Sequence, residues 1–125
     1  MPKMYSLKRK EILKDSKTIK LLIYNARKTY YYPILAKWEL FFEDNCLENV
    51  QVGFSVSKNK FHNAVVRNTI KRKMKEAYRQ NKYILQNINK NFQLKIFFIY
   101  TSSVDENFSV INKAIIYILN SINNL

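Results

Sequence analysis

The side chains that offer the clearest chemistry in this 125-residue chain are basic and closely spaced. Residues 63–79 contain a single acid, Glu76, and six basic residues: Arg67, Lys71, Arg72, Lys73, Lys75 and Arg79. Arginine binds phosphate through a planar fork of N–H donors, and lysine binds it as a compact charge. This density of basic residues on one short segment predicts contact with a polyanion.

The charge of the whole chain supports that prediction. It is +13, far beyond what solubility requires, and it favours nucleic acid as the partner over acidic lipid or acidic protein. The excess lies in two segments: residues 1–37 hold ten basic and two acidic residues, and residues 58–82 hold nine and one. If both segments converge on one face of the fold, they form a broad surface for an anionic ligand; if not, each is a solvated stretch. Two such segments in so small a domain favour binding.

Side chains for catalysis are scarce by comparison. With one histidine, His62, one cysteine, Cys46, and one glycine, Gly53, the chain has neither a Cys/His metal-ligand spacing nor a glycine-rich phosphate loop. Four acids raise the alternative of a metal-dependent nuclease, but no alternation would bring them together: Glu39, Glu43, Asp44 and Glu48. We therefore expect a binding module with no catalytic residue and no metal site of its own, in which His62 is a turn residue or a phosphate contact.

The chain also lacks the features of a secreted or membrane protein. Its single cysteine forms no internal disulfide, which favours a reducing compartment. The first ten residues lack the apolar core of a signal peptide, and there is no apolar run of about 18 residues to span a membrane. These features predict a cytoplasmic protein without membrane contact, folded as one domain over residues 1–125.

The elements that position the basic residues follow from hydrophobic spacing. Apolar residues among lysines predict a short helix near residues 15–25, and alternation over 31–42 predicts a strand in which Pro33 favours an edge or early position. After a polar connection at 43–49, residues 50–57 predict a second strand, and the nearly continuous apolar run 93–100 predicts a central one. A terminal amphipathic helix follows Asp105 and Glu106.

The basic segment is predicted to be a helix with two faces. One stripe packs on the sheet and consists of Val66, Ile70, Met74 and Ala77. The basic side chains form a ridge on the opposite side, and Lys73 alone breaks this division. Glu76 is expected to pair within the helix with Arg72, and the remaining bases repel one another.

Three motifs in this region resemble the signature of the bacterial ribonuclease P protein subunit. They are Val-Gly-Phe-Ser-Val-Ser-Lys at 52–58, Asn-Ala-Val-Val-Arg-Asn-Thr-Ile-Lys-Arg at 63–72 and Ala-Tyr-Arg at 77–79. The resemblance extends more weakly over the whole chain, including its basic start at 7–9. Two departures stand out: the family usually has arginine at the position of Thr69 and glycine at the position of His62, and the loop 59–61 has one extra residue here.

The resemblance implies a fold. It is an α/β (α+β) two-layer sandwich like the second domain of ribosomal protein S5, with a mixed sheet of about four strands and three helices. The basic helix would be the crossover between two parallel strands. In the family this crossover is left-handed, against the general preference.

The resemblance also implies a function as the protein subunit of ribonuclease P. The catalytic RNA of that enzyme, with Mg²⁺ held mainly by the RNA and the substrate, hydrolyses one phosphodiester and removes the 5′ leader of precursor tRNA. The protein would bind both the RNA subunit and the leader, with no obligate protein partner. The residues matched to the RNA-subunit contact are Lys58, Lys60, Asn63, Arg67, Asn68, Lys71, Arg72 and Lys75. Because Thr69 replaces an arginine, Arg72 or Lys73 is expected to share its function.

Strand parity combined with the family's leader cleft predicts a second site. If Ile34, Ala36 and Trp38 pack inward, the residues of opposite parity face the helix near 15–25. Bases stack on aromatic side chains while lysine meets the backbone, so such a groove suits unpaired nucleotides. The predicted leader-binding residues are Ile19, Ile23, Tyr31, Leu35, Lys37 and Ser55. Since the family has aromatic residues where this chain has isoleucines, stacking is expected to depend on Tyr31.

Three other classes share parts of this pattern. A ribosomal or other structural RNA-binding protein would not stimulate tRNA processing, and a stand-alone metal nuclease would cleave RNA unaided. A DNA-binding protein that places a helix in the groove would show base-specific affinity for duplex DNA. The motif that leads from strand to helix favours the ribonuclease P interpretation over all three.

Overall fold

The computed structural model describes residues 9–42, 50–86 and 92–124. The helices are α1 (Ser16–Asn25), α2 (Ala64–Asn81) and α3 (Phe108–Asn123), with short 3-10 helices at Arg9–Glu11 and Lys82–Leu85. The strands are β1 (Arg27–Tyr31), β2 (Ile34–Phe42), β3 (Val50–Val56) and β4 (Phe92–Tyr100). The predictions for Cys46, for the acids and polar connection at 43–49 and for the basic start at 7–8 lie outside the described residues.

The four strands form one mixed sheet in the order β1-β2-β4-β3. β2 pairs antiparallel with β1 and with β4, whereas β3 runs parallel to β4. α2 therefore connects two parallel neighbours. This confirms the predicted mixed sheet with three helices and the central position of the strand at 93–100, while the left-handed sense of the crossover stays a prediction.

The first strand is the element that the sequence pattern missed. The predicted strand at 31–42 is wrong at its start, because Tyr32 and Pro33 form a turn with a cis peptide bond and β2 begins only at Ile34. Proline has no N–H to donate to a sheet ladder, so strand pairing is interrupted there. Pro33 thus precedes an interior strand, and β1, with the sequence Arg-Lys-Thr-Tyr-Tyr, has too few apolar residues to be recognised by alternation.

The main core lies between the sheet and two helices. α2 and α3 cover one side of the sheet, named here the α2/α3 face, where β2 buries every second side chain from Ile34 to Trp38. The predicted apolar stripe of α2 is confirmed, with Val66 half-buried and three fully buried residues: Ile70, Met74 and Ala77. Burial of a large apolar side chain stabilises the fold by roughly 1.5–3 kcal/mol. This layer therefore determines which side of α2 is exposed.

The opposite side of the sheet, the α1 face, is covered only in part. Leu22 of α1 and Leu13 pack on Phe97 of β4 in a smaller second core. Gly53 permits the close approach of this ring, because a Cβ atom at its position would lie 2.7 Å from Cδ1 of Phe97. Leu35 on the same face remains half-exposed, so part of the face is open to a ligand.

The chain before α1 covers the outer edge of β3. Ile12 forms a parallel bridge with Val52, and the N–H of Leu13 donates to the carbonyl of Val52 at 2.7 Å. Lys82 Nζ donates to both carboxylate oxygens of Glu11, at 2.9 and 3.1 Å. The two basic segments are thus joined at this edge. However, α1 and α2 lie on opposite faces of the sheet, so their lysines do not form one face.

Candidate nucleic-acid interface

The loop before α2 is held by its own polar groups. The N–H of Asn59 donates to Ser57 Oγ at 3.1 Å, and the N–H of Phe61 donates to the carbonyl of Ser57 at 3.1 Å. Asn63 caps α2, because its Oδ1 accepts from the N–H of Val65 at 2.8 Å. Such a cap contributes roughly 1 kcal/mol. Asn63 therefore positions the start of the basic helix.

Arg67 braces the same loop from within the helix. Its Nη1 donates to the carbonyls of Phe61 and His62, at 2.7 and 3.0 Å, and its side chain is half-buried. Hydrogen bonds from a charged donor are about twice as strong as neutral ones. Sequence reasoning missed this brace, because its acceptors are backbone atoms whose positions depend on the folded loop.

The two lysines of the loop have different surroundings. Lys60 donates from Nζ to the carbonyl of Thr101, in the connection between β4 and α3. Lys58 is exposed and forms no ion pair with any described residue. Of the two, Lys58 is therefore the better placed to meet an anion.

The exposed side of α2 carries a basic ridge, defined here as Asn68, Lys71, Arg72 and Lys75. Arg72 and Lys75 are exposed and Lys71 is half-exposed. In the described part of the chain, none of these three cations has a salt-bridge partner. Like charges three or four residues apart on a helix destabilise it by roughly 0.2–0.5 kcal/mol per pair. A bound polyanion would relieve this repulsion.

Lys73 does not belong to the basic ridge. Its Nζ lies 2.9 Å from Asp105 Oδ1 and 2.9 Å from the carbonyl oxygen of Glu106. This contact explains why a lysine interrupts the division of the helix into an apolar and a basic face. Since Lys73 is already paired, Arg72 is the stronger candidate for the function of the missing arginine at Thr69, whose own hydroxyl donates to the carbonyl of Val65 at 2.9 Å.

The expected pairing of Glu76 with Arg72 is wrong. Glu76 instead accepts from Arg79 Nε at 2.9 Å, from Arg79 Nη2 and from Gln80 Nε2 at 2.9 Å. The hydrogen bond from Arg79, followed by that from Gln80, lowers the pKa of Glu76 to about 2. Because the carboxylate turns toward the end of the helix, Arg72 has no salt-bridge partner in the described part of the chain.

Most of the predicted leader-binding residues lie on the α1 face. Ile99 of β4 pairs with Leu35 of β2 on one side and with Ser55 of β3 on the other, and Phe97 of β4 pairs with Lys37 of β2. Paired residues point to the same face of a sheet, so these side chains share the face on which Phe97 meets α1. Two residues of α1 complete the predicted set: Ile19 packs in the second core and Ile23 is exposed.

Tyr31 was placed on the wrong face by strand parity. It pairs with Ile34, packs against the main core, and its ring centroid lies 4.6 Å from that of Tyr117 in α3. The turn at Pro33 separates Tyr31 from β2, so its parity cannot be counted through the turn. The tyrosine of β1 that lies on the α1 face is its neighbour Tyr30, which pairs with Leu35 and is 55% exposed.

A second residue of β1 adds charge to the α1 face. Lys28 pairs directly with Lys37 across the two strands. Like charges directly opposite each other destabilise a sheet, and an anion between them would remove the repulsion. The groove therefore has the aromatic, apolar and cationic parts of the predicted site, but two of its members, Tyr30 and Lys28, come from the strand that sequence reasoning missed.

The fold and the two surfaces together define a class of protein. It is an α+β protein whose basic helix and partly open sheet face are both cationic and suited to nucleic acid. In residues 9–42, 50–86 and 92–124, no three His, Cys, Asp or Glu side chains are grouped to hold a metal ion. None of the helices there combines the length and apolar character needed to cross a membrane.

The chain belongs to the ribonuclease P family, whose model matches residues 7–123. A ribonuclease P protein component from Geobacter sp. (strain M21) is 63% identical over 41 residues, which are 31% of this chain and 34% of that protein. One from Citrifermentans bemidjiense is 48% identical over 63 residues, 49% of this chain and 48% of that protein. The match thus spans at most about half the length of these relatives.

A solved structure has the same fold. The RNase P protein of Staphylococcus aureus superposes with a TM-score of 0.69 over 90% of this chain and 94% of its own, at 18% sequence identity. The family predicted from the three motifs is confirmed.

Proposed function

We propose that this chain is the protein subunit of ribonuclease P and assists a catalytic RNA in removing the 5′ leader of precursor tRNA. The observation that carries the proposal is the strand-to-helix motif of the family, which presents a basic ridge without salt-bridge partners in the described part of the chain. The enzyme is then the holoenzyme, an endoribonuclease whose active site lies in the RNA subunit.

The RNA subunit is proposed to bind the basic ridge and Lys58. Phosphate contacts by exposed Lys and Arg provide affinity that does not depend on sequence and that weakens with salt. Arg67 and Asn63 support this contact by holding the loop and the start of α2 in place. Lys60 fixes the same loop to the connection after β4.

The leader is proposed to bind the α1 face. Tyr30 offers a ring for base stacking, and Leu35 offers an apolar surface. Lys28 and Lys37 provide two adjacent positive charges for the phosphate backbone of the leader. Ser55 and the α1 residues Ile19 and Ile23 border the same face. Stacking tolerates every base, so we expect only a weak sequence preference in the leader.

Magnesium is proposed to be held by the RNA subunit and the substrate. The described part of the chain offers no cluster of carboxylate, histidine or cysteine side chains that fits a metal ion, so no step is assigned to a protein-bound metal. We further propose that the protein acts in the cytoplasm, without membrane contact and without an obligate protein partner.

The test combines the purified chain with the ribonuclease P RNA of its host at low magnesium and follows leader removal. We expect the protein alone to leave precursor tRNA intact and the mixture to cleave it faster than the RNA alone. Cleavage by RNA-free protein, after removal of contaminating nucleases, would instead identify a metal nuclease. RNA binding without faster cleavage would identify a structural RNA-binding protein.

The double variant Lys71→Ala, Arg72→Ala is expected to weaken binding to the RNA subunit and to flatten its salt dependence. Each lost phosphate contact reduces the slope of log affinity against log salt by about one, so the slope should fall by about two. Lys73→Ala is the control, because it removes one positive charge from the same helix at a residue paired with Asp105, and it should leave the slope nearly unchanged. Equal slopes in the double variant and the wild type would show that the basic ridge is exposed to solvent and does not contact the RNA subunit.

A further inference from the structure

A groove between β1 and α3 lies apart from both surfaces described above. It has a volume of about 440 Å³ and is lined by Tyr31, Lys113, Ile116, Tyr117, Asn120, Ser121 and Asn124. β1 is an outer strand of the sheet, so the groove opens at the edge remote from β3. It also lies on the α2/α3 face, opposite the groove proposed for the leader.

The centre of the groove is a supported aromatic ring. Tyr117 is 49% exposed, and its ring lies 4.6 Å from that of Tyr31 at an angle of 36°. Tyr31 in turn packs against the main core. The ring of Tyr117 is therefore held by a rigid support on one side while part of its surface meets solvent, which is the arrangement that base stacking requires.

The polar residues of the groove lie on one side of α3 at helical spacing. Lys113 precedes Tyr117 by four residues and Asn120 follows it by three, so both are its neighbours on the helix surface. Lys113 is exposed, no described residue pairs with it, and no acid lines the groove. The amide of Asn120 can both donate to and accept from a base edge.

We propose that this groove binds one unpaired nucleotide of RNA, with its base on Tyr117 and its phosphate on Lys113. Beside Ile116, the groove combines one exposed ring, one cation and amide groups. A nucleotide satisfies all three. This contact is additional to the basic ridge and to the leader groove, so it brings RNA to a third part of the surface.

The test is a titration of the full-length chain, labelled with 3-fluorotyrosine, with adenosine 5′-monophosphate, followed by ¹⁹F NMR. Tyr117→Phe assigns the resonance of Tyr117. We expect this resonance to shift and saturate, and ribose 5-phosphate, which has no base, to shift it much less. Lys113→Ala keeps the aromatic pair and should weaken nucleotide binding severalfold, while Tyr83→Ala, a tyrosine of similar exposure at 51%, should leave it unchanged.

Three results would overturn the proposal. The Tyr117 resonance could remain fixed, or it could respond equally to ribose 5-phosphate, which would indicate phosphate binding alone. Shifts confined to Tyr30 would assign the nucleotide to the leader groove. Because none of these results depends on leader removal by the holoenzyme, the proposed function is tested separately.

Discussion

Glu11→Ala is expected to destabilise the protein by about 3 kcal/mol. Lys82 Nζ contacts both carboxylate oxygens of Glu11, and the side chains of Lys82 and Glu11 are only 15% and 9% exposed. Removal of one member of a mostly buried ion pair deprives the other charge of its direct counter-ion in a region of low polarity. Urea unfolding followed by the fluorescence of Trp38, the only tryptophan, measures the change in the free energy of unfolding.

The control for this prediction is a surface pair on the same sheet. Arg27 and Glu39 lie 3.4 Å apart with side chains 56% and 32% exposed, so Glu39→Ala is expected to lower the free energy of unfolding by less than about 1 kcal/mol. The double variant Glu11→Leu, Lys82→Met removes both buried charges and should recover much of the loss. If Glu11→Ala lowers the free energy of unfolding no more than Glu39→Ala does, the Glu11–Lys82 pair does not stabilise the fold as a buried ion pair.

This ion pair also explains the arrangement of the two basic segments. Glu11 is one of only two acids among the first 37 residues, and it joins the segment before α1 to the end of α2 along the β3 edge. The ion pair therefore adds to the Ile12–Val52 bridge and to the second core, which also hold this part of the chain on the sheet. We therefore expect Glu11→Ala to weaken RNA binding indirectly, through the fold.

Periodic elements were predictable from the sequence. The helix near 15–25, the apolar stripe of α2 and the central strand at 93–100 follow from residue spacing, because each element buries a repeated set of side chains. The family motif supplied the parallel pairing of the strands on either side of α2. Local periodicity contains no information about which strands become neighbours.

Contacts that depend on the folded backbone were not predictable. Arg67 donates to backbone carbonyls of a loop, and Lys73 contacts residues more than thirty positions away in the sequence. Glu76 pairs with Arg79 at i+3 and not with Arg72 at i−4. Each of these contacts depends on the positions of atoms in the folded protein, which the spacing of residues in the sequence does not determine. They divide the basic residues into those that support the fold and those that remain available to RNA.

The wrong position of Tyr31 has a different cause, and it leads to the last prediction. Alternation of side chains holds only within one strand, and the turn at Pro33 places Tyr30 and Tyr31 in β1. Tyr30 then shares the α1 face with Leu35, whereas Tyr31 faces the main core and Tyr117. Two adjacent tyrosines on opposite faces provide a matched pair for locating the leader.

Tyr30→Ala is expected to reduce the preference of the assembled holoenzyme for precursor tRNA over mature tRNA by about 1–3 kcal/mol, or roughly 5- to 150-fold. The loss reflects base stacking on the α1 face, so assembly with the RNA subunit should be unchanged. Tyr31→Ala should keep the preference and instead lower the free energy of unfolding by about 2 kcal/mol, since it removes part of the packing between β1 and α3. Affinities for the two tRNAs at fixed salt and a urea titration of each variant distinguish the outcomes. If Tyr31→Ala loses the preference while Tyr30→Ala keeps it, the leader binds the α2/α3 face and the proposed groove is wrong.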